Sequence, residues 1–380
     1  MEPFPRSEGK PVDMDSVRLE FLRPDQVAAH WARSPIAYVP IGCIEYHGPH
    51  LPLGVDGLTA HAVCTHAALA SGGVVHPVSY QANGCLDLPY TITYPPNVVE
   101  SWARTVIEEL HHRGAELVVL LTGHGPLDLI HMLKRVSASY DTSGRRAYGL
   151  CYLELNAAHL DQPELGEPTV IDHASTIETS WILAHHPELV QLDLLPEQED
   201  AQIVGIYGKN PRATATAELG RMQREASADL LARRCQAILR DEWRDDLEDL
   251  RRFVDFVWPE PLTIAIASSQ DGQSQVLIRN PGRASRYITA LRDLMIDGKR
   301  IDLDHATITN SSVGEVGTPF KVSALNAEHG IYVRRGQSLS LSIPGWNSST
   351  RPAQIALSID LAGVRTAELQ WSAAHCHESA

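Results

Sequence analysis

The sequence predicts an α/β unit with a mostly parallel sheet flanked by helices, followed by an antiparallel β-sandwich. Three observations carry this. Short apolar runs alternate with helix-period segments over residues 20–245, the order expected of a parallel sheet covered on both faces. One run, Leu117-Val118-Val119-Leu120-Leu121, is apolar at every position, as a strand buried on both sides must be. Beyond Val257-Trp258-Pro259-Glu260-Pro261 the pattern changes to short alternating runs punctuated by turn residues. We place the boundary so that one domain spans residues 1–255 and the other 256–380.

Taken in order, residues 1–20 read as an extended arm, and Pro24 opens a short helix to Trp31. Ile36 to Gly42 reads as a buried strand. Gly57 to Ala70 has helical period and stops at Ser71-Gly72-Gly73. Val74 to Val78 is a second strand, and Val98 to His112 a helix ended by Gly114. After the Leu117–Leu121 strand, Pro126 starts a helix to about Tyr140, and Ala147 to Leu153 is a further strand. Thr214 to Trp243 is a long helix continued by a charged face. The C-terminal runs begin at Leu262, Gln275, Tyr287, Ala306, Gly330, Ser338 and Ile355.

Composition excludes several classes of function. The 380 residues suit two domains, and 43% apolar with 21% charged residues is a globular balance. A net charge of −15 lacks the basic footprint that nucleic acid or an anionic membrane requires. The first residues contain no apolar core of a signal peptide, and no apolar run approaches the about 20 residues of a membrane span. The six cysteines show no C-x-x-C spacing, which argues for a reducing compartment. The expected location is the cytoplasm.

The chemistry concentrates in Gly42-Cys43-Ile44-Glu45-Tyr46-His47-Gly48-Pro49-His50-Leu51-Pro52-Leu53-Gly54-Val55-Asp56. Glu45 and His47 leave an extended chain on one face, and the glycines and prolines bend it before Asp56. Two carboxylates and an imidazole converging on one spot suit a divalent cation. The same residues also read as a polar strand-to-helix turn with Asp56 as an N-cap. His124 directly follows another strand. Because ligands of parallel sheets collect beyond the strands' carboxyl ends, Glu45, His47 and His124 are expected at one edge.

Glu45-x-His47-Gly48-Pro49-His50-Leu51-Pro52-x-x-x-Asp56 resembles the signature of the creatininase (creatinine amidohydrolase) family. Thr122-Gly123-His124-Gly125-Pro126 resembles that family's N-G-H-G-G-N or N-G-H-x-E-N segment. His173-Ala174-Ser175-Thr176-Ile177-Glu178-Thr179-Ser180 resembles its H-A-G-E-x-E-T-S. The resemblance spans residues 20–245 and implies two divalent metal ions, zinc or manganese. Glu45 and His124 would hold one, His47 and Glu178 the other, and Asp56 would bridge them. It further implies hydrolysis of a small polar cyclic amide through a metal-bridging hydroxide, with His173 as proton shuttle and Glu178 also catalytic. The alternatives are carbon–carbon hydrolysis of a cyclic polyol ketone of the dehydro-inosose type, or a non-catalytic carbohydrate-binding protein. A homo-oligomer, with a hexamer favoured, is the expected assembly.

Departures from the family pattern are informative. Thr122 replaces an asparagine. Pro126 stands where some members carry a glutamate, and Asp128 is the nearest carboxylate, with a helix-terminus role as its other reading. Asn83 to Ile92 occupies the place of a segment ending F-P-G-T-I that walls the substrate pocket; Tyr90 replaces its glycine, and Tyr90 and Asp87 are expected to touch substrate. Tyr152, Glu154 and Asn156 either line the same rim or begin a loop. Cys43 is expected to serve packing, and His50 structure.

Overall fold

In the computed structural model the described residues are 13–142, 144–158, 172–199, 201–245, 247–250, 262–268, 274–280, 286–312, 315–316, 319–325, 331–333, 338–344, 346, 354–361 and 365–372. The chain forms two compact units, Met1–Phe253 and Val254–Ala380.

In the first unit, Pro24 at the first helical position begins α1 (Pro24–Arg33). Then come β1 (Ile36–Ile41), α2 (Val55–Ser71), β2 (Val74–Val75), α3 (Pro96–His112), β3 (Leu117–Thr122), α4 (Leu127–Ala138), β4 (Asp141–Thr142) and β5 (Arg145–Cys151). They are followed by α5 (Tyr152–Ala157), α6 (Thr176–His185), α7 (Pro211–Thr214) and α8 (Ala217–Leu239). The sheet order is β2-β1-β3-β5-β4; every neighbouring pair is parallel except the β4–β5 hairpin. Every residue of β1 and β3 is buried, as continuous apolar strands between two helical layers should be. Ala37, Val39, Ile41, Val118 and Leu120 pack with Val99, Ala103 and Ile107 of α3 and Leu129, Leu133 and Val136 of α4. On the opposite face α2 covers β1 and β3, and α8 packs on α2 and β3.

The register pairs Ile41 with Thr122 and Thr122 with Cys151, so β1, β3 and β5 end at one edge. Close backbone approach brings α2 onto that edge. A Cβ at Gly123 would lie 2.0 Å from the Asp56 carbonyl oxygen, and one at Gly42 would lie 2.2 Å from the Gly57 nitrogen. Only glycine admits that contact.

Three local expectations are corrected. The strand at 74–78 stops at Val75, where Pro77 limits pairing. The strand at 147–153 ends at Cys151, because Glu154 accepts the Cys151 N–H at 2.8 Å and closes a capping box that starts α5. Asp56 is not an N-cap: Gly54 holds that position and Asp56 lies inside the first turn of α2.

The second unit is antiparallel throughout: β6 (Thr263–Ser268), β7 (Ser274–Arg279), β8 (Arg286–Ile296), β9 (Lys299–Ile301), β10 (Thr307–Ser312), β11 (Glu315–Val316), β12 (Phe320–Lys321), β13 (Ile331–Val333), β14 (Ser338–Ser342), β15 (Gln354–Leu361) and β16 (Arg365–Ser372). One sheet runs β11-β10-β14-β7-β6 with β12 beside β10; the other runs β13-β8-β15-β16 with β9 beside β8. Val276, Ile278, Leu339 and Leu341 of the first sheet share one core with Ile288, Leu294, Leu357 and Ile359 of the second. That shared core is the sandwich the alternating runs predict. The sequence reading omits β16, where only alternate positions of Arg365-Thr-Ala-Glu-Leu-Gln-Trp-Ser are apolar. Among the described residues no helix is long and apolar enough to cross a membrane.

Candidate metal centre

The edge where β1, β3 and β5 end gathers the acidic and imidazole side chains. Glu45 and His47 follow β1, His124 follows β3, Asp56 comes from α2 and Glu178 from the first turn of α6. All five are buried. His47 Nδ1 lies 3.0 Å from the Glu45 carbonyl oxygen, which can only accept, so Nδ1 carries the proton. Its Nε2 faces Asp56 Oδ1, 3.3 Å away, and Glu178 Oε2, 3.5 Å away. His124 Nδ1 lies 3.2 Å from both Glu45 Oε2 and Asp56 Oδ2. Asp56 thus offers one oxygen to each histidine.

Surrounding groups fix these orientations. Glu45 Oε1 accepts the Leu86 N–H at 2.5 Å. Glu178 Oε2 accepts the Ala174 N–H at 2.6 Å, and Oε1 the Tyr152 hydroxyl at 3.4 Å. Ala174 adopts a φ of +54°, a conformation costly for alanine and held here because it aims that amide. Asp172 accepts the N–H groups of Ile177, at 3.0 Å, and Glu178, at 3.1 Å, and so caps α6. Thr122, in the asparagine's place, accepts the His124 N–H at 2.9 Å and donates to its carbonyl at 3.0 Å. His50 Nε2 meets Thr179 Oγ1 at 2.9 Å, a structural tie between two motifs.

The electrostatics ask for cations. Among the described residues no lysine or arginine pairs with Glu45, Asp56 or Glu178. Buried carboxylates without a fixed cation are costly. Burial pushes Glu178 up to about 8 despite the opposing pull of His47. Burial opposes charge on His47 too, yet Asp56 and Glu178 raise it to about 10. Among the overlapping sets whose ligand atoms lie within 4.8 Å of one another are His47/Asp56/Glu178, Glu45/Asp56/His124 with Cys43, and Glu45/His47/His173. Such sets suit divalent cations.

His173 is half-buried against His47, with ring centroids 4.3 Å apart, and its Nε2 lies 3.0 Å from the Tyr46 carbonyl oxygen. That oxygen fixes the proton on Nε2 and leaves Nδ1 as the basic nitrogen. Burial, then the charge of His47, push this imidazole down to about 4.

Not every sequence candidate joins this cluster. Asp87 and Tyr90 are exposed on the loop beyond Leu86, and Tyr90 has a φ of +64°, keeping the backbone conformation glycine would favour. Asp128 accepts Asn83 Nδ2 at 3.0 Å and the Leu129 N–H at 3.1 Å, anchoring the loop that carries Leu86. Glu154 is not on the rim: it pairs with Lys134 at 2.6 Å. Sequence reasoning missed Tyr152's contact with Glu178 and assigned Cys43 to packing. Cys43 Sγ lies 2.9 Å from Asp56 Oδ2. Its position two residues before Glu45 on an extended chain was the available signal.

Comparison with known proteins identifies the family. The creatininase family model, described as creatinine amidohydrolase, matches residues 20–241. The chain is 26% identical over 182 residues to a creatinine amidohydrolase of Pseudomonas putida, a match covering 44% of this chain and 70% of that protein. It is 25% identical over 179 residues to a 3-dehydro-scyllo-inosose hydrolase of Thermotoga maritima, covering 46% of this chain and 58% of that one. Solved structures of a manganese creatininase (TM-score 0.47) and a Zn-Zn creatininase mutant (TM-score 0.48) are each 23% identical. Each covers 60% of this chain and 99% of its own. Over residues 20–241 the chain therefore belongs to the creatininase family of metal-dependent hydrolases.

Proposed function

We propose that the first unit hydrolyses a small, polar, cyclic amide at a centre of two divalent cations. The observation that carries this is the pair of ligand sets sharing Asp56, buried and without a fixed cation. Glu45, Asp56 and His124 would hold one ion, and His47, Asp56 and Glu178 the other. A bound pair of divalent cations supplies Lewis acidity at a carbonyl and lowers the pKa of water towards neutrality.

The protein's own residues supply the rest. His47 and Glu178 are locked by the Glu45 carbonyl and the Ala174 amide, so each ligand atom is held in place before substrate arrives. His173, neutral at pH 7, can take a proton at Nδ1 and return it to the leaving nitrogen. Pro126 caps α4 and brings no carboxylate. Proton transfer in this chain accordingly falls to His173.

The likeness to the inosose hydrolase supports a second reading, carbon–carbon hydrolysis of a cyclic polyol ketone at the same residues. A screen of lactams, formamides and cyclic ketones, with products identified by mass spectrometry, separates the two. A new amine, kept in the ring-opened product of a lactam or released from a formamide, supports the amide reading; a ring-opened acid with no new amine supports the ketone reading. Glu178→Gln should abolish turnover in both cases. Unchanged turnover in that variant, or protein that retains no divalent metal, would sink the assignment.

A further inference from the structure

We propose that the cation position built by Glu45, Asp56 and His124 takes its fourth ligand atom from the Cys43 thiol. Protein groups then close this position and make it selective for zinc. The position built by His47, Asp56 and Glu178 stays open to water and substrate. The proposal rests on the two-cation reading above and assigns different tasks to its two ions.

Cys43, Glu45, Asp56 and His124 are all buried, and each offers a ligand atom within 4.8 Å of those of the others. Cys43 Sγ is 2.9 Å from Asp56 Oδ2 and 3.4 Å from Glu45 Oε2, and His124 Nδ1 is 3.2 Å from each of those oxygens. Tetrahedral bonds of about 2.0–2.3 Å set ligand atoms roughly 3.3–3.8 Å apart. These four separations, 2.9–3.4 Å, lie at or somewhat below that range.

The direction of the thiol separates a ligand from a supporting hydrogen-bond donor. A supporting donor would sit on the outward oxygens. The outward oxygen of Glu45, Oε1, is taken by the Leu86 N–H, and Asp56 Oδ1 faces His47. The thiol instead meets the two inward oxygens that His124 also faces. Cys85 is the competing sulfur. Its Sγ hydrogen-bonds Cys43 and His124 and shares a cluster with them, but it is half-buried, reaches the carbonyl oxygens of Ala82 at 3.9 Å and Ile92 at 3.7 Å, and meets neither Glu45 nor Asp56 in that cluster.

Two consequences follow from the chemistry. A divalent ion deprotonates a coordinating thiol outright. Three carboxylates and one thiolate then carry −4, matching two divalent cations. A thiolate also favours zinc over manganese, which prefers oxygen ligands. A position with four protein ligands has the closed character of a structural zinc site, whereas three protein ligands leave the open position that catalysis needs.

The test loads the purified full chain with cobalt(II) and records its absorption. Two bound cobalt ions should give visible bands together with a near-ultraviolet sulfur-to-cobalt band. That band should be lost in Cys43→Ser and kept in Cys85→Ser. Visible bands without the near-ultraviolet band would overturn the proposal and leave the two-cation reading standing. A band lost only in Cys85→Ser would overturn the assignment to Cys43. Failure of the unmodified chain to bind any cobalt or zinc would refute both. Should Cys43→Ser not fold, X-ray absorption at the zinc edge of the unmodified protein decides. A sulfur neighbour at about 2.3 Å supports the proposal, and a shell of only nitrogen and oxygen at about 2.0–2.2 Å overturns it.

Discussion

Replacing Lys134 by methionine should destabilise the first unit by about 3 kcal/mol at pH 7, and adding Glu154→Gln should restore most of that. Lys134 Nζ lies 2.6 Å from Glu154 Oε2 and 2.5 Å from Asp245 Oδ2, with the Glu154 side chain 2% exposed. Methionine keeps the packing of the aliphatic stem and removes the charge. Glu154 is then a buried carboxyl without its cation, and breaking such pairs costs about 3–5 kcal/mol. Proton uptake limits the loss. Taking a carboxyl from its ordinary 4.5 to pH 7 is about 2.5 units, or about 3 kcal/mol at 1.36 kcal/mol per unit.

The sign follows from linkage. Burial already raises Glu154 in the native protein, with Lys134 pulling it back down; without Lys134 it rises further. A carboxyl raised in the folded state contributes stability below 4.5 that is lost as pH climbs. The Lys134→Met deficit should therefore be small near pH 4.5 and grow by about 1.4 kcal/mol per unit towards pH 7. In the double variant, glutamine still accepts the Cys151 N–H and carries no charge, so the slope should vanish. Urea denaturation of the first unit at several pH values measures both. A loss below about 1 kcal/mol, or a double variant no better than the single, would refute the pairing argument. If Glu154→Gln alone lowered turnover without moving stability, Glu154 would belong to the substrate rim after all.

Other outcomes can be stated more briefly. Stripping metal with a chelator should lower the melting temperature of the first unit by roughly 16–32 °C, since each of two cations at a thousandfold excess over its Kd contributes about 4 kcal/mol and each kcal/mol is worth about 2–4 °C at this size. Calorimetry should show the transition of the β-sandwich unmoved; no shift in either transition would count against the metal centre. Burial, then the charge of Lys134, push His131 down to about 3, and burial with Arg224 does the same to His185. Such histidines contribute stability above 6.5 that is lost as pH falls towards 3, so urea midpoints should drop from pH 7 to pH 5, and less so in His131→Gln. Tyr90→Gly relieves a φ of +64° and should leave stability equal or up to about 1 kcal/mol higher. A rise in KM with kcat unchanged in that variant would place Tyr90 against substrate, and unaltered kinetics would place it outside the site.

The division into an α/β unit and a β-sandwich is legible in the sequence, because period and burial are coupled locally. Leu117–Leu121 is short, Val-rich and apolar at every position, as a doubly covered strand is, and the alternating runs after Leu262 fit two facing sheets. Three of the candidate ligands, Glu45, His47 and His124, are legible for the same reason: they follow strands, and parallel strands end at one edge, whereas Asp56 and Glu178 come from helices. Where local pattern was ambiguous, tertiary contacts decided. Glu154 closes a capping box and meets Lys134 from α4, so residues 152–157 form a helix and the carboxylate leaves the rim. Asp56, a ligand candidate from the sequence with an N-cap role as its other reading, falls inside α2 because Gly54 takes the cap, and glycines at 42 and 123 let α2 settle onto the strand ends. Cys43 looked like packing because its neighbours in sequence are apolar. Its thiol meets two carboxylates, one of which comes from a helix 13 positions further on, and only folding sets that distance.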